Sequence, residues 1–163
     1  MKKLFTTPFA MLLCVAMAVV FTACEPEENT EASAKTLVFL CDANSIPNGS
    51  TYTTSTLGED AVFLPGIDLK GDAGGTVCVT VKSLNETMIA ICGFGSCQMT
   101  LPYLEYTTTA SGEINANTPF PLDIHYEPTA DKPSASALIT AYYEGEEDNA
   151  VSFTLVMTNA KGE

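Results

Sequence analysis

Five side chains of this sequence are suited to chemistry: the thiols of Cys41, Cys78, Cys92 and Cys97, and the imidazole of His125, the single histidine. A zinc centre needs cysteine and histidine in close pairs at finger-like spacing, so that four ligands converge on one ion. Cys41 and Cys78 are isolated and one histidine cannot complete such a set, so no metal or other cofactor is expected. A thiol-redox site uses Cys-X-X-Cys, whereas four residues separate Cys92 from Cys97. Asp123, His125 and Glu127 alternate along a strand-like run and share one face. One histidine with two carboxylates on a strand ordinarily forms a solvated face. The acidic stretch Glu144-Gly145-Glu146-Glu147-Asp148-Asn149 reads as a solvated turn, because it lacks the alternating carboxylates of a calcium loop. There is no Gly-X-Ser-X-Gly and no phosphate loop. The four thiols are therefore expected to be structural.

The amino terminus sets their compartment. The chain opens Met1-Lys2-Lys3, runs apolar from Pro8 to Val20 and reaches Phe21-Thr22-Ala23-Cys24. A cationic head, a short apolar run and small residues before a cleavage point make a secretory signal peptide. The run is short of the roughly 20 residues that a membrane-spanning helix needs. Its last four residues resemble the lipobox of bacterial lipoproteins, with Phe21 where leucine is commoner. The resemblance implies cleavage after residue 23 and lipid attachment at Cys24, through acyl chains such as palmitate. Each buried methylene contributes about 0.8 kcal/mol, and two or more chains anchor a protein without spanning the bilayer. Residues 24–35 carry four acids and no large apolar side chain, the composition of a flexible tether. Acids directly behind the lipid cysteine are similar to the surface-export signal of Bacteroidetes lipoproteins. That implies display on the cell surface from the outer membrane, the periplasmic face being the alternative.

Removing residues 1–23 leaves 140 residues, and the stretch 36–163 suits one domain with its own core. The mature part keeps five lysines, no arginine and all twenty acids, a formal charge of −15. Nucleic acids and anionic headgroups are bound through arginine and lysine, so neither is expected as a partner. In an oxidising compartment the four cysteines are expected as two disulfides, from three possible pairings. Gly93 and Gly95 let the backbone turn sharply enough to join Cys92 to Cys97, which leaves Cys41 with Cys78. The small loop would contribute about 2 kcal/mol and the large one about 4 kcal/mol in the chain-entropy account.

Short strands separated by turn residues fill the domain. Leu37 to Cys41 is apolar on both faces, and Asn48-Gly49 is the strongest hairpin signal. Ser50 to Thr56 follows, then Ala61 to Leu64, stopped by Pro65-Gly66. Thr76 to Lys82 alternates, with Val77, Val79 and Val81 on one face and Cys78 on the other. Met88 to Cys92, Gln98 to Thr107, Phe120 to Tyr126, and a hairpin of Ala135 to Tyr143 with Val151 to Met157 complete the set, with a turn at Ser111-Gly112. Eight or nine such strands without helical periodicity predict an all-β fold, a two-sheet antiparallel immunoglobulin-like sandwich.

The order of these features resembles a group of secreted or lipidated Bacteroidetes proteins of unknown function. The matching features are Asn48-Gly49, the valine-rich strand, the Cys92–Cys97 knuckle, Pro121-Leu122-Asp123-Ile124-His125-Tyr126 and the terminal hairpin. The part from Thr76 onward is similar to immunoglobulin-like modules of the hydin type. Both resemblances imply the fold and no activity.

The expected function is a non-catalytic surface module for adhesion or binding, its ligand an unidentified protein or glycan. Tyr103, Tyr106, Tyr142 and Tyr143 are candidates for an aromatic contact patch. A carbohydrate-binding accessory of a glycan-uptake system is the alternative, since sugar platforms favour exposed aromatics. An accessory pilus subunit is another, although maturation by cleavage after arginine is closed to a chain without one. Glycosidases need only two facing carboxylates, but a small chain with no tryptophan to stack sugars makes an enzyme the weaker reading.

Overall fold

The computed structural model describes residues 33–56, 62–101, 107–126 and 131–159. The expected signal peptide, Cys24, most of the expected tether, Tyr103, Tyr106 and Glu127 lie outside those residues.

Eleven strands are formed there: β1 (Leu37–Cys41), β2 (Asn44–Ile46), β3 (Thr51–Thr56), β4 (Val62–Gly71), β5 (Gly75–Ser83), β6 (Ile89–Gly93), β7 (Ser96–Met99), β8 (Thr107–Ile114), β9 (Phe120–Tyr126), β10 (Ser134–Tyr143) and β11 (Val151–Asn159). They build two sheets, one ordered β2-β1-β4-β9-β6-β7 and the other β3-β11-β10-β5-β8. Period-2 alternation fills the space between them. Val77, Val79 and Val81 of β5 face Ala135, Ala137, Ile139 and Ala141 of β10 in one inner layer. Ile89 and Ile91 of β6, Leu122 and Ile124 of β9, and Ile67 and Leu69 of β4 form the other. Phe39 of β1 meets Phe153 of β11 edge to face, with ring centroids 4.9 Å apart. Each large side chain so buried contributes about 1.5–3 kcal/mol, so the layers are held mainly by apolar burial.

Four local expectations are corrected. Pro65-Gly66 does not stop a strand; β4 runs through it as a bulge, with Gly66 at φ +78° and the register shifting between Leu64 and Ile67. Ser111-Gly112 lies inside β8 rather than in a turn. A side chain at Gly112 would stand 2.6 Å from Phe94, so the glycine makes room for that ring. The first tight hairpin turns at Asp42 and Ala43, both at positive φ, rather than at Asn48-Gly49. Residues 47–50 carry the chain to the other sheet instead, where Gly49 N–H donates to Ser152 O at 2.7 Å and Thr154 N–H donates to Ser50 O at 2.8 Å. That crossing brings β3 alongside β11 in parallel, so the second sheet is mixed rather than purely antiparallel.

Lys35, the last residue assigned to the tether, belongs to the compact unit Ser33–Glu163. Its ammonium lies 4.9 Å from the centre of the Tyr143 ring and 3.5 Å from the Glu146 carboxylate.

Candidate functional site

β6 and β7 form a hairpin closed by Phe94 and Gly95, at φ 52° and 77°. A two-residue turn with both central residues left-handed matches the twist of the strands it joins, and glycine takes the second position without strain. Phe94 is held there by stacking on Phe120, with centroids 4.3 Å apart, and by the space above Gly112. Directly opposed Cys92 and Cys97 are disulfide-bonded, with Cα atoms 4.0 Å apart. The other end of the hairpin is pinned by Thr100, fully buried, whose hydroxyl accepts from Ile89 N–H at 2.9 Å and donates to Thr87 O at 3.1 Å.

Ile89 and Ile91 point into the sandwich, so Met88, Ala90 and Cys92 point outward. Across the ladder stand Met99, opposite Ala90, and Cys97, opposite Cys92. Met88, Met99 and Leu101 are 47%, 54% and 43% exposed. They form an apolar patch beside β7, which among the described residues is an edge strand and whose residues are all exposed. The sequence places Met99 and Leu101 in a Gln98 to Thr107 strand without assigning them a face, because which side of β7 is open follows from its edge position in the sheet.

β9 flanks the same face on the other side of β6. Its register sets Asp123 opposite Cys92 and His125 opposite Ala90. One ligand-capable atom of each of Cys92, Asp123 and His125 lies within 4.8 Å of the others. His125 Nδ1 is 3.8 Å from Asp123 Oδ1. The face expected to be merely solvated is thus half-covered at His125 and lies against the disulfide.

Cys41 and Cys78 are free thiols, contrary to the expected second disulfide. Cys41 continues the inward-facing set Leu37 and Phe39 of β1, whereas Cys78 alternates with the buried valines of β5 and faces out from the other sheet. Cys41 faces the interior beside Tyr52 of β3, whereas Cys78 stands on the outer face of β5, three strands away from β3 in the same sheet. Burial, then the nearby Glu144 carboxylate, pushes the Cys78 thiol upward, which keeps it protonated and unreactive. Cys41 lies 2.9 Å from the Tyr52 hydroxyl. This contact, then burial, pushes Tyr52 up to about 12. Both residues line a cavity of about 480 Å³ between the β1–β2 hairpin and β3, together with Asn44, Ser45, Pro47 and Thr51.

The tyrosines do not gather into an exposed patch among the described residues. Tyr143 is 2% exposed and its hydroxyl donates to Ala73 O at 2.6 Å. Tyr142 is half-buried beside its ladder partner Cys78. The acidic turn forms a single 3-10 turn, Glu147–Asn149.

No protein family and no curated protein sequence matches the chain. Among solved structures it is similar to the N-terminal domain of PorA, with 11% identity and a TM-score of 0.55 over 78% of this chain and 100% of that one. The ASH/PapD-like domain 7 of human CEP192 aligns at 14% identity over 80% of this chain and 89% of that one, with a TM-score of 0.39. At 11% identity the PorA likeness is one of fold: this chain carries an immunoglobulin-like β domain.

Proposed function

We propose that the chain is a lipid-anchored, non-catalytic binding module of the cell surface, and that it captures an extended segment of a partner protein on the edge of β7. The observation that carries the reading is the apolar patch of Met88, Met99 and Leu101 beside that edge. An edge strand offers unpaired backbone groups, and alternate side chains of an added strand would find the patch. The formal charge of −15 after residue 23 favours a segment with basic flanks. The lipobox-like Cys24 and the acidic run behind it support the anchor and the surface address. The test is photo-cross-linking on intact cells, with the reactive group placed at Gln98 in β7 or at Thr53 in β3. A discrete protein adduct from Gln98 alone is expected. Equal adducts from both positions, or none, would refute edge capture, and protection of both sites from added protease would refute surface display.

A second reading rests on the cavity at Cys41 and Tyr52. Its hydroxyl and amide lining suits a saccharide, in keeping with a glycan-uptake accessory. Binding to a glycan panel that is lost in Tyr52→Ala would support it, and an unresponsive panel would remove it.

A further inference from the structure

We propose that reduction of the Cys92–Cys97 disulfide turns this face into a site for a thiophilic divalent cation, with Cys92, Cys97, Asp123 and His125 as its four ligands. The two thiolates, one imidazole and one carboxylate are a donor set suited to tetrahedral zinc. Three facts of the fold bring them together. Cys92 and Cys97 are directly opposed on β6 and β7, Asp123 is directly opposed to Cys92 on β9, and His125 is two residues further along the same face. Ligand atoms of Cys92, Asp123 and His125 already lie within 4.8 Å of one another. Around a tetrahedral zinc two sulfurs sit about 3.8 Å apart, given Zn–S distances near 2.3 Å. Cα atoms 4.0 Å apart allow that spacing by side-chain rotation alone, and the Asp123 side chain is 56% exposed.

The hairpin is held by other contacts besides the disulfide. Ile89 and Ile91 remain in the core, the Ala90–Met99 and Ile91–Gln98 pairs remain in the ladder, and the Thr100 hydroxyl continues to tie Thr87 to Ile89. A dithiol donor supplies the two electrons. Its thiolate attacks one sulfur, the Cys92–Cys97 bond breaks, and the donor departs as its own disulfide while its two protons pass to the freed sulfurs. The incoming cation displaces those protons. In the oxidised chain both sulfurs are spent in the S–S bond, so cation binding and the disulfide exclude each other.

Full-length protein in detergent is reduced with a trialkylphosphine, which leaves as its oxide with oxygen from water, and is then titrated with Co²⁺ alone. The unreduced protein serves as reference. Cys41 and Cys78 are thiols in both forms, so the difference reports on Cys92 and Cys97. The reduced chain is expected to bind one equivalent with thiolate-to-cobalt charge-transfer bands and tetrahedral d–d absorption, and the unreduced chain is not. His125→Ala and Asp123→Ala should each weaken binding at least tenfold, with the circular dichroism of the sandwich retained. Equal binding by both redox forms, an octahedral spectrum, or loss of the β signal on reduction would overturn the proposal. Binding that needs reduction but ignores both single variants would overturn the four-ligand site and leave only a dithiol clip.

Discussion

Replacing Gly71 by alanine would place a methyl group onto the Tyr143 hydroxyl, with Ile114 Cδ1 at 3.0 Å and Ala73 O at 3.1 Å as the next neighbours. Tyr143 is buried and its hydroxyl donates to Ala73 O, so it cannot swing into solvent. Breaking that bond and leaving a buried group unsatisfied costs about 1–3 kcal/mol, and overpacking adds about 1–3 kcal/mol. Against this, alanine lowers the entropy of the unfolded chain, worth about 0.5–1 kcal/mol. The net expectation is a loss of about 3 kcal/mol for Gly71→Ala. Tyr143→Phe removes only the hydrogen bond and should lose about 1 kcal/mol. In the double variant the methyl group enters the space the hydroxyl vacated, leaving Ile114 and the backbone to give way, so the loss should be about 2 kcal/mol rather than the additive ~4 kcal/mol. Urea denaturation of the four proteins, read from midpoints at constant slope, measures the coupling. A double variant as destabilised as the sum, or more so, would refute the hydroxyl as the obstacle.

Three further outcomes are expected. The Asp72 carboxylate is held below its usual range by the Thr36 N–H and Thr36 hydroxyl, at 2.9 and 2.7 Å. Its stabilisation is present above the unfolded pKa of about 4 and fades as pH falls through the lower folded value, so acid titration should loosen the start of β1, and Asp72→Asn should abolish that dependence. Tyr52 should ionise near pH 12 in absorbance titration. Its raised pKa contributes stability below the unfolded value of about 10 that is lost between there and 12, and Cys41→Ala should move the titration back toward 10. Thiol counting in denaturant without reductant should find Cys41 and Cys78 and neither Cys92 nor Cys97. A count that lacks Cys41 and Cys78 would restore the second disulfide.

Alternation made most strands readable. The Val77, Val79 and Val81 series, the Phe120–Tyr126 run and the terminal hairpin lie where a period of two places them. The same alternation set Cys78 against its valines, but Leu37 to Cys41 is apolar on both faces, so alternation there did not orient Cys41 and the count of thiols led to the expected pairing. Gly112 read as a turn because a glycine beside a serine signals one by composition, whereas the reason for it, the ring of Phe94, lies in the β6–β7 turn of the other sheet.

Local physical chemistry determined the sandwich class, the inner faces and the Cys92–Cys97 knuckle, since periodicity and turn geometry act between residues close in the chain. The expectation of a lipid-bearing Cys24 came instead from the resemblance of residues 21–24 to a lipobox. Only the tertiary structure decided that β7 is an edge, that β3 runs parallel to β11, that Tyr143 is core, and that Asp123 and His125 lie against Cys92. Those relations join residues from 31 positions apart, Cys92 and Asp123, to 103 apart, Thr51 and Thr154, through strand register and sheet order. No local pattern encodes them, because they follow from which arrangement of the whole chain buries the most apolar surface.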